Sequence, residues 1–182
     1  MSNARKLQEA FQYLEEQRKR VLAAVEGLTQ AQADFRSSPD DWSLGEVLDH
    51  VCLSAQSTLD RVKGLCDGTI KADKLVGKDA SDKFLAGVAD VSKSGKAPAP
   101  KEIVPSAGKP VAEIFSSLDN ILDGSRKDLA RYENDDLSQY KFPFATFFDL
   151  DGYQWIKFQG AHEARHIPQI ERIKASPGYP AS

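Results

Sequence analysis

Residues with reactive or soft side chains are scarce in this chain of 182: two cysteines, one methionine, two tryptophans and three histidines. A single methionine offers no soft thioether site. Cys52 and Cys66 stand fourteen positions apart in one helical pattern, which separates them by about 20 Å along an axis and excludes a bond between them. Each reads as a small buried apolar residue. No stretch approaches eighteen apolar residues, so no membrane-crossing helix is expected. Met1-Ser2-Asn3-Ala4-Arg5 turns amphipathic at once, without an apolar signal run. Nor does either charge sign dominate. A net charge of -3 gives no general attraction to nucleic acid or to an anionic membrane. Together these absences set the expectation of a reduced, cytoplasmic protein.

What is present is ordinary for a globular chain, 41% hydrophobic and 28% charged. The length suits one domain spanning 1–182, large enough to bury a core without cross-links. Apolar residues recur at steps of four and three through Leu7, Phe11, Leu14, Val21, Val25 and Leu28, predicting a first helix that ends near Gly27. Arg18 fills a seam position there. It either snorkels to the surface, the plainer choice, or reaches a polar centre. Gln30 to Asp41 is polar and reads as a connection. Ser43 and Glu46 then form a capping box, with Trp42 and Val47 as its hydrophobic staple, and start a second helix that runs to about Leu65. His50 lies in its second turn.

The composition changes over 67–109, where lysine, glycine, serine and proline dominate. This long crossover is expected to belong to the same domain. It has a short helical possibility at Asp79 to Ala89 and an irregular tract at Gly95-Lys96-Ala97-Pro98-Ala99-Pro100. Pro110 suits the first turn of a third long helix carrying Val111, Ile114, Phe115, Leu118, Ile121, Leu122, Leu129 and Tyr132. An aromatic connection, Tyr140 to Gly152 with Phe142, Phe144, Phe147 and Phe148, is expected to pack over the end of a bundle. A fourth helix follows from about Tyr153 to Lys174. No strand signal outweighs the helical ones, so the expected class is all-α: four helices, up and down.

The fourth helix holds the anomaly. Its seam reads Trp155, Gln159, His162, His166, Gln169, Ile173, four polar residues in succession where a bundle should carry leucine. Buried polar groups need partners. His162 and His166 lie one turn apart on one face, and with His50 they form a candidate set of imidazole ligands for a divalent metal. Zinc or nickel suits imidazole best, and iron or manganese is also compatible. Three histidines without a fourth protein ligand leave a position open for water or substrate, as in reactive sites. The plainer alternative makes His162 and His166 hydrogen-bonded core residues and His50 a surface histidine. Gln159 and Gln169 face inward and are candidates to orient the ligands or a bound water. Glu163 and Arg165 turn off the seam and read as solvated or capping residues, while capping already accounts for Glu46.

Trp42-Ser43 followed by His50, with His162-Glu163-Ala164-Arg165-His166 and Gln169-Ile170, resembles the DinB/YfiT-like superfamily of four-helix metalloproteins, in its DinB_2 branch. The resemblance covers Leu7 to Lys174. It implies a divalent metal held by His50, His162 and His166, and homodimers formed through helix faces. It also implies transfer chemistry with low-molecular-weight thiols such as bacillithiol or mycothiol, although other members are sulfoxide-synthase domains or have no known activity. Two readings follow: a metal-dependent transferase joining such a thiol to a small electrophile, or a metal-binding bundle acting in sensing or stress response without turnover. Hydrolysis by a metal-bound hydroxide ranks last, for want of a general base on the seam. No thiol-binding signature is visible, and Lys71, Lys74, Lys78 and Lys83 are the candidate contacts for an anionic thiol.

Overall fold

A computed structural model describes residues 1–71, 74–90 and 99–181, with Asp82 described by its backbone only. Within them lie six α-helices: α1 Asn3–Ala24, α2 Gln30–Asp34, α3 Leu44–Asp67, α4 Asp82–Ala89, α5 Val111–Ala130 and α6 Gly152–Lys174. Two short strands, β1 Lys141–Phe144 and β2 Phe148–Asp151, pair antiparallel as a hairpin. Of the irregular tract expected at 95–100, only Ala99 and Pro100 fall within the described residues. No described helix is long and apolar enough to cross a membrane.

The caps explain where the helices begin. Ser43 accepts from the amide of Glu46 at 3.1 Å while its own amide donates to the Glu46 carboxylate at 2.6 Å, the expected capping box. Gly68, with φ +77°, closes α3. Asp151 and Gln154 form the same reciprocal pair at the head of α6. So do Thr29 and Gln32 at the head of α2, which corrects the expectation of a plain connection over Gln30 to Asp41. That Thr-x-x-Gln signal stands in the sequence but precedes no apolar run. The third long helix ends at Ala130, leaving Tyr132 in the following turn.

The chain is mostly helical, consistent with the all-α class, and adds a small two-stranded sheet that was not expected. Pro143 in β1 cannot donate to a ladder, and a two-stranded edge accommodates it. Phe142 and Phe144 pack against buried Trp155, and Phe144 also against Phe158, whereas Phe147 is 61% exposed at the tip. Phe84 of α4 closes over the hairpin, 4.9 Å from Phe148 and 5.4 Å from Phe144 between ring centroids. The crossover is tied down on this side by Asp149, 2% exposed, whose carboxylate accepts from the amides of Val76 and Gly77 at 2.8 and 2.7 Å.

Two apolar clusters form the core. One gathers Leu7, Phe11, Leu14, Leu59, Trp155 and Ile156; the other gathers Val21, Leu48, Val51, Ile114, Leu118 and Ile170. Helix α6 packs on both α1 and α3 and is buried around most of its circumference. At Gly160 the approach of α1 is so close that a Cβ would come within 2.9 Å of the Tyr13 ring and 3.1 Å of the Leu14 backbone. Between the two clusters, at the level of Arg18, Ser54, Gln159, Glu163 and the histidines, the interior is polar.

Candidate metal centre

Helices α3 and α6 bring the three histidines together. One ring nitrogen of each lies within 4.8 Å of those of the other two. His50 is 4% and His166 8% exposed, while His162 is part-buried. Nε2 of His162 and Nε2 of His166 stand 3.4 Å apart.

The opposite nitrogens are all engaged. His50 Nδ1 lies 2.7 Å from the carbonyl oxygen of Ile103, which can only accept, so Nδ1 carries the proton and Nε2 a lone pair. His166 Nδ1 donates to Gln169 Oε1 at 2.9 Å. His162 Nδ1 contacts Ser54 Oγ at 3.3 Å. Imidazoles anchored at Nδ1 with Nε2 turned inward are the arrangement that metal-binding histidines adopt.

The rings are held from outside as well. Trp42 lies against His50 with centroids 4.9 Å apart, and Phe158 stacks on His162 at 6.1 Å and 22°. Burial lowers the pKa of all three histidines; the neighbouring imidazoles push His162 further down, and His166 falls to about 4. Half-buried Arg165 acts in the same direction on each. At neutral pH the site therefore presents neutral imidazole, the form a metal requires. Cys52 is no competing ligand, because burial pushes its thiol up to about 12. Both cysteines are free, as their spacing required.

Two readings of the sequence need correction. Arg18 does not snorkel outward: it is 2% exposed and makes a two-pronged ion pair with Glu163, Nε to Oε2 and Nη2 to Oε1, both at 2.7 Å. Glu163, expected on a solvated side, is 0% exposed. The reason is that α1 covers the flank of α6 that a single-seam pattern assigns to solvent. Gln169 Oε1 meets His166 Nδ1 at 2.9 Å, whereas Gln159 touches no imidazole: its Oε1 accepts from Ser54 and its Nε2 donates to Glu163.

Asp49, Ile103 and Arg61 were not anticipated. Asp49, 1% exposed, accepts from the Ser106 amide and from Lys109 Nζ, both at 2.9 Å. It thereby pins the segment whose 3-10 turn, Lys101–Ile103, offers the carbonyl to His50. A buried aspartate beside a histidine leaves no mark in periodicity, so nothing in the sequence flagged it. Arg61 lies eleven positions after His50, three turns along the same face of α3. Its guanidinium carbon is 4.9 Å from the Phe142 centroid and 4.8 Å from that of Trp155, and among the described residues no carboxylate pairs with it. Lys71, Lys74, Lys78 and Lys83 are exposed on the crossover, with Lys78 over the Phe148 ring.

A histidine on one long helix thus converges with a pair on the last, and the DinB superfamily matches residues 13–170. This chain belongs to the DinB superfamily. It is similar to the uncharacterized protein YuaE of Bacillus subtilis (strain 168), at 29% identity over 160 residues covering 82% of this chain and 88% of that protein. DinB-like proteins bind metal, and the three histidines here can hold an ion.

Proposed function

We propose that this DinB-superfamily protein is a metal-dependent transferase that joins a low-molecular-weight thiol to a small electrophile, on four long helices (α1, α3, α5 and α6) arranged up and down. The observation that carries the reading is the convergence of His50, His162 and His166 with every Nδ1 occupied by a hydrogen bond. These residues would hold a divalent cation of the zinc or nickel type, iron or manganese being also compatible. A cation there supplies one thing, the lowering of a thiol's pKa, so that thiolate is available at neutral pH.

The protein's own groups do the rest. Phe158, stacked on His162, begins an aromatic wall that continues through Trp155, 5.4 Å from it, to Phe144 and Phe142. Arg61 stands at the far end of that wall, about 10 Å along α6 from His162. It is a better fit for the anionic end of a thiol than the exposed crossover lysines, because its guanidinium is held between two rings and meets no acid among the described residues. Glu163 is committed to Arg18 and is no general base, which argues against hydrolysis.

The test compares thiol consumption by zinc- or nickel-loaded protein across a panel of electrophiles with that of the His162→Ala variant. A rate that depends on His162 and on the metal is expected. Equal rates would end the transferase reading and leave a metal-binding bundle without turnover.

A further inference from the structure

Arg18, Glu163, Gln159, Ser54 and His162, drawn from three helices, form one unbroken line of hydrogen bonds. Arg18 donates twice to Glu163 at 2.7 Å, and its third arm donates to the carbonyl of Leu118 on α5. Glu163 Oε1 accepts from Gln159 Nε2 at 3.1 Å; Gln159 Oε1 accepts from Ser54 Oγ at 3.0 Å; Ser54 Oγ meets His162 Nδ1 at 3.3 Å. Arg18, Ser54, Gln159 and Glu163 are 2, 5, 0 and 0% exposed, so water does not compete for the contacts among these four.

The line has a direction, and the charged end sets it. A guanidinium only donates and an ionised carboxylate only accepts. Gln159 must therefore turn its NH2 group toward Glu163, which leaves its carbonyl oxygen for Ser54. That oxygen accepts the one proton Ser54 owns. Ser54 can then offer His162 only a lone pair, so the remaining contact closes when His162 donates from Nδ1. The ring is fixed as the Nδ1–H tautomer, with the Nε2 lone pair facing His166. Were position 163 neutral, an amide or hydroxyl chain could run either way and the ring could carry its proton on either nitrogen.

We infer that the buried Arg18–Glu163 pair is a positioning device that sets the tautomer of His162, and thereby makes its Nε2 a metal ligand. A buried ion pair gives little net stability over apolar residues of the same volume, so directionality is the contribution that distinguishes it here. The inference rests on the metal reading for its purpose. The tautomer, however, belongs to the metal-free protein and can be measured without any ion.

The experiment uses the full chain as the wild type and as Arg18→Met/Glu163→Met, Ser54→Ala and Ser54→Thr variants. Long-range proton–nitrogen spectra of metal-free protein report which ring nitrogen of His162 is protonated, and chelator competition gives the zinc affinity. The wild type is expected to show the proton on Nδ1. The double variant, which removes both charges, is expected to fold with an unchanged or raised melting temperature, to mix the two tautomers, and to bind zinc about 10-fold more weakly. Ser54→Ala should lose the same preference, and Ser54→Thr should retain it by keeping the hydroxyl. Protonation of His162 on Nε2 in the wild type would overturn the inference. So would a folded double variant with wild-type tautomer and affinity. If the double variant does not fold, the wild-type spectrum and the Ser54 pair still decide. Failure of every form to bind zinc, with Nδ1–H fixed in the wild type and Ser54→Thr but not in the other two variants, would uphold the tautomer device and sink the metal reading.

Discussion

The two ends of the polar layer differ in a way that neither apolar cluster does. At the α1 end, donors and acceptors are matched: Arg18 meets Glu163 and the Leu118 carbonyl, and Gln159 spends its amide on Glu163 and its oxygen on Ser54. At the α3 end, three imidazoles satisfy one nitrogen each and turn the other toward a common point, where the nearest partners are acceptors like themselves. Both regions share α6 and lie largely in the interior, so burial alone does not separate them. A cation held by the three imidazoles would complete the second, which is the end to which the proposed function is assigned.

The sharpest way to break the contrast is to unbalance the matched end. Arg18→Met alone leaves Glu163 charged, buried and unpaired, and should cost about 3–5 kcal/mol of stability by denaturant titration. The Arg18→Met/Glu163→Met variant should cost little. If the single change is as mild as the double, the pair is not the buried partnership described.

Acid comes next. Burial holds the folded-state pKa of the histidines below the unfolded value near 6.5, so between the two the unfolded chain binds more protons and stability rises with pH. For His166, lowered to about 4, the contribution present above pH 6.5 is on the order of 3 kcal/mol and is lost as pH falls through the window from 6.5 to 4. Metal-free protein unfolded by urea at several pH values should show this slope, and a flat profile across that window would contradict the burial of neutral rings.

Completing the unmatched end should stabilise the fold. Zinc at 100 times its dissociation constant is expected to add about 2.7 kcal/mol, read as a raised melting temperature that His162→Ala abolishes. A smaller effect is expected at Gln169, whose Oε1 orients His166. Gln169→Ala should weaken zinc binding about 10-fold without loss of helix content. Smallest is Arg61→Met, which should leave zinc affinity unchanged and raise the KM of a carboxylate-bearing thiol several-fold relative to a neutral one. Equal KM changes for both thiols would remove Arg61 from the thiol's path.

The unmatched end was the legible one. Histidines at i and i+4, a polar run on a seam and a capping box fixing the helix that carries His50 are local signals, and each lies on one element. The matched end was not, because Arg18 and Glu163 meet only through the register of α1 against α6. A one-seam pattern assigns Glu163 to solvent and cannot show that a second helix covers that side. Asp49 and Ile103 depend similarly on where a long crossover returns to α3. The hairpin was obscured by Pro143 in β1. Helix α2 is too short for apolar periodicity to register, although Thr29 and Gln32 marked its start.

Gly160 gives these contacts their common scale. Its missing side chain lets the backbones of α1 and α6 approach to the separation at which a guanidinium on one spans to a carboxylate on the other. An alanine there would wedge against Tyr13 and Leu14 and draw Arg18 away from Glu163, loosening a ring three links distant that the new methyl never touches. In this protein the calibration of the proposed metal centre resides in a single hydrogen atom on the far side of a helix.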